Sequence, residues 1–420
     1  MAVQLNRRQA LQSLAATSVL ATVPAAGAVA RKKLPVAAVI TEYRTNSHAD
    51  VICGKILEGF QQDGGPGPDL ELVSLYTDQL PETDMSREMA RKHGFRIAST
   101  IEESITLGTG KVQVAGVLSI GEHGKYPSTP DTHQQMYPRK RFFDEIIATF
   151  KKCGRVVPVF NDKHLCYNWR DAKAMYDTAR KMKIPFMAGS SLPVAWREPQ
   201  EILPIGSVIE EALVLGYGGL ESYGFHMLET LQCMMERRQG GETGVRGVQA
   251  LQGERAWQAH QQGRWSGELF KAAAEANGQV VSEDKLRASM MHSNSAVYLL
   301  DYRNNIKVSA VMAVNLGAQF CLALKLKERD EPFVSWFQLE DKKPYGHFAF
   351  LVQAIEEMVH TGQTSYPVER TLLTTGILDR AMHSLASGGT AYRTPELAIR
   401  YRPVEWPYAN QAGGNPYPCR

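Results

Sequence analysis

Short, continuous apolar runs alternate with segments of helical spacing through the first half of this chain. Leu34–Ile40 has no polar position, as a strand buried on both faces requires. Residues 50–60 then place Val51, Ile52, Ile56, Leu57 and Phe60 on one helical stripe. A Gly/Pro loop at 64–68 leads to a second strand, 70–76, that ends near Asp78. Ser86–His93 reads as a helix stopped by Gly94. The pattern continues with a strand at 112–120, a helix at 140–152 and a strand at 156–160. A helix at 169–182 and a strand at 184–188 follow. Strand alternating with helix predicts a parallel sheet covered on both faces.

The second half has a different rhythm. A long helix at 221–238 is followed by strand-like runs at 245–251, 296–302, 306–314, 319–326 and 332–339. Turns such as Arg303-Asn304-Asn305 join some of them. This predicts an open, largely antiparallel sheet with one face on helices and one free for a partner. Helices at 346–361 and 368–385 come last, and 410–418 is rich in Pro, Gly and Asn. The expected class is α/β: a parallel-sheet region over 31–190, an α+β region over 191–402 and an irregular tail over 403–420.

The first thirty residues stand apart. Arg7 and Arg8 precede an apolar run, 14–29, that Pro24 breaks, and Ala28-Val29-Ala30 offers a small-x-small cleavage site before Arg31. Charged, apolar and cleavable segments in that order make a secretory signal, and the arginine pair points to the twin-arginine route. That route exports proteins already folded, so the expected location is periplasmic or secreted. The run is too short and alanine-rich to span a bilayer, and no later segment is long enough. Composition changes little: 44% hydrophobic, 22% charged and a net charge of +3, with no sign of a nucleic-acid surface. The six cysteines are widely spaced, without a CxxC pair; an even count permits disulfides, but most read as buried free thiols.

Four segments carry more. They are VQVAGVLSI at 112–120, VVPVFNDK at 156–163, GGLESYGFHMLE at 218–229, and the stretch from Tyr366-Pro-Val-Glu-Arg370 to Pro395-Glu-Leu397. With the order of elements, they resemble the Gfo/Idh/MocA oxidoreductase family, typified by glucose–fructose oxidoreductase and inositol dehydrogenase. The resemblance implies a Rossmann-like N-terminal domain, a bound NAD or NADP, a sugar or polyol substrate and a homo-oligomer. It implies that Lys163, at a strand end, polarises a substrate hydroxyl, and that His226 takes its proton. The plain alternatives are a solvated loop lysine and a core histidine. The family aspartate four residues before the histidine is Ser222 here, so Glu221 is its candidate substitute. Glu229 lies on the same helix face as His226 and is a candidate to orient the imidazole.

The chain departs from the family at the cofactor turn, which is normally GxGxxG. Here Thr41-Glu42-Tyr43-Arg44-Thr45-Asn46-Ser47-His48 contains no glycine. The candidates for cofactor binding are Thr41, Arg44, Asn46, Ser47 and His48, with Arg44 pairing a phosphate and Ser47 or Asn46 capping the helix. Asp78 sits where a ribose-binding acid belongs, and reads equally as a strand-end turn residue. Glu122 and His123 follow the third strand at the carboxyl ends where open sheets bind ligands; His164 and Trp169 are weaker candidates. His123, His226 and Glu229 match no short metal motif, so no metal is expected.

The reading is an exported oxidoreductase of sugars or polyols with a tightly held dinucleotide. The alternative is a cofactor-free descendant that binds carbohydrate or acts as a lyase or isomerase. Replacing Arg7 and Arg8 with lysine keeps the charge but removes both guanidinium groups, and should stop export. Cell fractionation of the double variant checks this; normal export would mark an ordinary signal peptide.

Overall fold

The computed structural model describes residues 32–316, 319–340 and 342–405. The arginine pair, apolar run and cleavage site of the leader lie outside the described residues, as do Cys419 and the 410–418 segment. All the elements below belong to the compact body that begins at Lys33.

The first half runs β1 (Leu34–Ile40), α1 (His48–Glu58), β2 (Leu70–Thr77), α2 (Ser86–His93), β3 (Arg96–Ala98) and α3 (Ile101–Thr106). It continues with β4 (Gly116–Ile120), α4 (Arg139–Cys153), β5 (Val159–Asp162), α5 (Trp169–Lys181) and β6 (Phe186–Gly189). The six strands pair in parallel in the order β3-β2-β1-β4-β5-β6. Strand order reverses between β1 and β4, and a sheet of this kind opens a crevice there, beyond the strands' carboxyl ends.

Local chemistry sets the helix ends. Ser47 caps α1 by accepting from the Asp50 amide at 3.2 Å, and Asn168 caps α5 through the Asp171 amide at 2.9 Å. One sheet face packs on α3, α4 and α5 through Ile105, Phe142, Ile146, Phe150 and Met175. The other packs on α1 through Ile52 and Ile56.

The second half contributes β7 (Arg197–Glu198), β8 (Ile209–Gly216), α6 (Ser222–Met235), β9 (Val245–Leu251), α7 (Gly253–Gln261), α8 (Gly267–Glu275) and α9 (Glu283–Met290). Then come β10 (Ala296–Tyr302), β11 (Lys307–Met312), β12 (Phe320–Leu326), β13 (Phe333–Phe337), α10 (His347–Thr361), α11 (Glu369–Ala386) and β14 (Tyr392–Arg393). Eight strands pair in the order β14-β9-β10-β11-β8-β12-β13-β7, antiparallel except for the β8–β11 pair. The expected class is therefore the observed one: a Rossmann-like parallel sheet and a mixed, mostly antiparallel second sheet. Helix α10 returns to the first sheet, where Phe348, Leu351, Ile355 and Met358 complete the layer that α1 begins.

One expectation is corrected. The second sheet leaves no broad free face, because both of its faces are covered within the chain. Val214, Leu322 and Ala310 pack on α6 and α11, while their neighbours Leu213, Leu215, Val311 and Ala323 pack on α7, α8 and α9. These three short helices, of eight or nine residues each, were not read in the sequence. The argument from a bare face to a second subunit loses its premise.

Among the described residues no helix is long and apolar enough to cross a membrane, and the five described cysteines are free thiols. If α8 is core rather than cover, Phe270→Ala should lower the unfolding free energy by about 3–5 kcal/mol. Denaturant titration measures this; a change below about 1 kcal/mol would make α8 a loose cover.

Candidate active site

The short strand β5 ends at Asp162, and the next residue, Lys163, takes a left-handed backbone at φ 68°. Its amide donates to the Gly189 carbonyl at 3.2 Å, and the Asn161 amide group donates to the His164 carbonyl at 3.1 Å, closing the turn. The Lys163 ammonium thereby reaches His226 Nε2 on α6 and lies 3.7 Å from Glu122 Oε1, just beyond β4. Behind the imidazole, Nδ1 meets Ser190 Oγ at 2.6 Å, and that oxygen also accepts from the Leu192 amide at 3.1 Å. An ammonium only donates, so Nε2 accepts and the ring proton belongs on Nδ1, donated to Ser190.

Glu229 does not contact the imidazole. It accepts from the Ser190 amide at 3.4 Å and from Thr374 Oγ1 at 2.6 Å, so it braces the serine that orients the ring. Ser190 was missed in the sequence, although its place just after a parallel strand was the available signal.

Burial and neighbouring charge set the protonation states. Burial, then the Lys163 charge, drives the His226 imidazole well below its usual range. Burial alone would raise Glu122, but Lys163 and then Arg139 outweigh it and hold the carboxyl at about 2. Arg139 donates to Glu122 Oε2 at 2.6 Å and meets His164 Nε2 at 3.1 Å. Burial lifts Glu221 to about 7 although one of its oxygens accepts from the Gln135 amide at 2.9 Å. Burial likewise lifts Glu229 to about 7, and burial with the neighbouring His48 lowers His123 to about 4.

These groups surround one cleft of about 1450 Å³ at the crevice between β1 and β4. Of the residues singled out in the sequence, Asn46, His48, Glu122, His123, Lys163, His164, Glu221 and His226 line it. Tyr223 and His347 line it too. Tyr223 stands 6.1 Å from the His226 ring and is stacked on Phe320, giving the cleft an aromatic wall. Trp169 instead packs into the core.

Thr41, Arg44, Ser47 and Asp78 stand outside the lining, and these residues, like Asn46 and His48, make hydrogen bonds within the protein. Thr41 Oγ1 donates to the Glu122 carbonyl at 2.5 Å and ties the ends of β1 and β4 together. Arg44 Nε is paired with the buried Glu42 carboxylate at 2.6 Å. Ser47 is spent on the helix cap, and the Asn46 amide donates to Asp50 Oδ2 at 2.9 Å. Asp78 accepts from Tyr76 at 2.9 Å, Tyr126 at 2.6 Å and Arg141 at 2.5 Å. His48 Nδ1 meets Asp162 Oδ2 at 2.7 Å. Among the described residues, no three His, Cys, Asp or Glu side chains are grouped to hold a metal ion.

No protein-family model and no curated protein sequence matches this chain. Solved structures do. GenD2 from gentamicin A biosynthesis, in complex with NAD, is 12% identical, with 87% of this chain and 97% of that one covered and a TM-score of 0.56. Scyllo-inositol dehydrogenase from Lactobacillus casei, with NAD(H) and scyllo-inositol bound, is 10% identical over 86% of this chain and 99% of that one, with a TM-score of 0.53. A myo-inositol dehydrogenase from Corynebacterium glutamicum is 13% identical over 86% and 98%, with a TM-score of 0.51. At such identities the likeness establishes the fold.

The raised Glu229 carboxyl has a consequence for stability. It titrates at about 7 when folded, against about 4.3 in an unfolded chain. The folded state binds the extra proton between those values, so this group makes stability fall as pH rises through the window. Glu229→Gln keeps an acceptor for Thr374 and has no proton to lose. Its stability relative to wild type should therefore be greater at about pH 8 than at about pH 5. The depressed histidines are common to both proteins and cancel. Denaturant titration at the two pH values reads the difference; the same difference at both would mean that Glu229 titrates as an ordinary acid.

Proposed function

We propose that this chain is an exported oxidoreductase that passes hydride between a nicotinamide dinucleotide and a sugar or polyol hydroxyl. The observation that carries the reading is the buried Lys163–His226 contact, backed by Ser190, on a cleft at the carboxyl ends of a parallel sheet. The fold shared with the NAD-bound structures supports it.

Lys163 donates a hydrogen bond to the substrate hydroxyl oxygen and stabilises the negative charge that grows there. His226, held neutral by burial, offers the Nε2 lone pair once the lysine turns to that oxygen, and takes the hydroxyl proton. Ser190 accepts from Nδ1 and steadies the imidazolium that forms. A nicotinamide ring bound in the cleft would supply the hydride acceptor. Asn46, His48 and Glu122, which line the cleft beyond β1 and β4, would hold it, and Tyr223 offers an apolar face to a sugar ring.

The diphosphate end supports a dinucleotide less well. The turn has no glycine, Arg44 is already neutralised by Glu42, and α1 carries Asp50 in its first turn, where phosphate would be repelled. That favours a second reading, in which the same lysine and histidine perform proton transfer without a nucleotide, as a lyase or isomerase would.

A mass spectrum of the undenatured protein, followed by titration with NAD and NADP, separates the two. The first reading expects a bound dinucleotide, its reduction by a polyol, and a kcat about 10²–10⁴ lower in His226→Gln with KM little changed. If neither nucleotide binds, the second reading replaces the first.

A further inference from the structure

Hydride transfer from an alcohol moves one proton, and His226 accounts for it. The cleft holds another imidazole, tied differently. Asp162, the residue before Lys163, has a carboxylate that is 2% exposed, and one of its oxygens lies 2.7 Å from Nδ1 of His48, the first residue of α1. A carboxylate only accepts, so a ring proton sits on Nδ1, and Nε2 is the nitrogen left to meet a substrate. The His48 side chain is 16% exposed and lines the cleft. The edge-on ring of Phe348, 5.1 Å away, and the His123 ring at 5.5 Å hold it from the sides. His123 itself has a buried Nδ1 with no hydrogen-bond partner.

Two imidazoles on one cleft thus present Nε2 under different control: one faces a lysine, the other is oriented from Nδ1 by a carboxylate. The adjacent positions 162 and 163 supply both controlling groups, so the two bases are fixed by a single turn of the backbone.

We infer that His48, oriented by Asp162, is a second general base that removes a proton from the carbon beside a carbonyl gripped by Lys163, so that the cleft enolises α-hydroxy ketones. The inference rests on the proposed function in one respect, that Lys163 grips the substrate oxygen. The carbon–hydrogen bond breaks and its proton goes to His48 Nε2. The electron pair left behind forms the carbon–carbon double bond, and the carbonyl π pair moves to oxygen, which takes a proton from the Lys163 ammonium. The product is an enediol, nothing is oxidised or reduced overall, and return of the proton gives back the ketone or its epimer. Substrates of this class are polyhydroxy ketones, the oxidation products of polyols.

The experiment is solvent exchange. The full mature protein is incubated in deuterium oxide with 2-keto-myo-inositol, and loss of the proton signals beside the carbonyl is followed by NMR. Wild type should exchange them. His48→Gln should slow exchange by about a hundredfold or more, and Asp162→Asn, which keeps an acceptor but not the charge, by about tenfold or more. Thermal melting of each variant confirms that it is folded. Exchange that persists at the wild-type rate in both variants would overturn the inference. So would no exchange by wild-type protein that still reduces the same ketone with a dinucleotide, and in that case the oxidoreductase reading would stand. Exchange that depends on His48 in a protein that binds no dinucleotide would support the inference and remove the redox reading.

Discussion

The site depends on the backbone of Lys163. A residue with a Cβ held at φ 68° costs on the order of 1 kcal/mol or more, so the neighbours must fix it there. The Gly189 carbonyl takes its amide, Asn161 braces the turn, and His226 receives the ammonium. This kink sends Asp162 to His48 and Lys163 to His226, although the two are adjacent in sequence. Gly189 is part of the same constraint. A Cβ there would lie 2.5 Å from Glu229 Oε2, which braces Ser190, and 2.8 Å from Thr371 Oγ1, which donates to the same carboxyl oxygen. The contact also joins the two halves of the chain, since Lys163 follows the parallel sheet and His226 belongs to the helix that packs on the second sheet.

Charge is distributed unevenly around that contact. Glu122 is the carboxylate held firmly ionised, because Lys163 and Arg139 both face it. Glu221 and Glu229, without a cation so close, are lifted by burial into the neutral range. The imidazoles of His123, His164, His226 and His347 are all pushed down, with burial the largest cause in each case. The cleft therefore offers neutral bases and one carboxyl, Glu221, able to exchange a proton near neutrality. This is a suitable stock for moving protons to and from hydroxyl groups.

Much of the frame was legible in the sequence. The uninterrupted apolar run of β1 and the helical stripe of α1 announced a buried parallel strand and its cover, and both lie where the spacing put them. Lys163 and His226 were legible because short motifs surround them. Strand β8 was not, since Glu210 and Glu211 open a run whose apolar part is only a few residues long. Helices α7 to α9 went unread, and their absence from the reading left a sheet face bare that the chain in fact covers. The partners that tune the site could not be read at all. Arg139 and Ser190 act through contacts with Glu122 and His226, 17 and 36 residues away in sequence, and no motif records those pairings.

The central claim is that His226 stands neutral beside Lys163 with its Nε2 lone pair available. Nitrogen-15 NMR of the histidine-labelled protein at neutral pH observes this directly. The account predicts a neutral ring protonated on Nδ1, with an Nε2 shift that moves when Lys163 is replaced by methionine. An imidazolium, or a neutral ring protonated on Nε2, would contradict it.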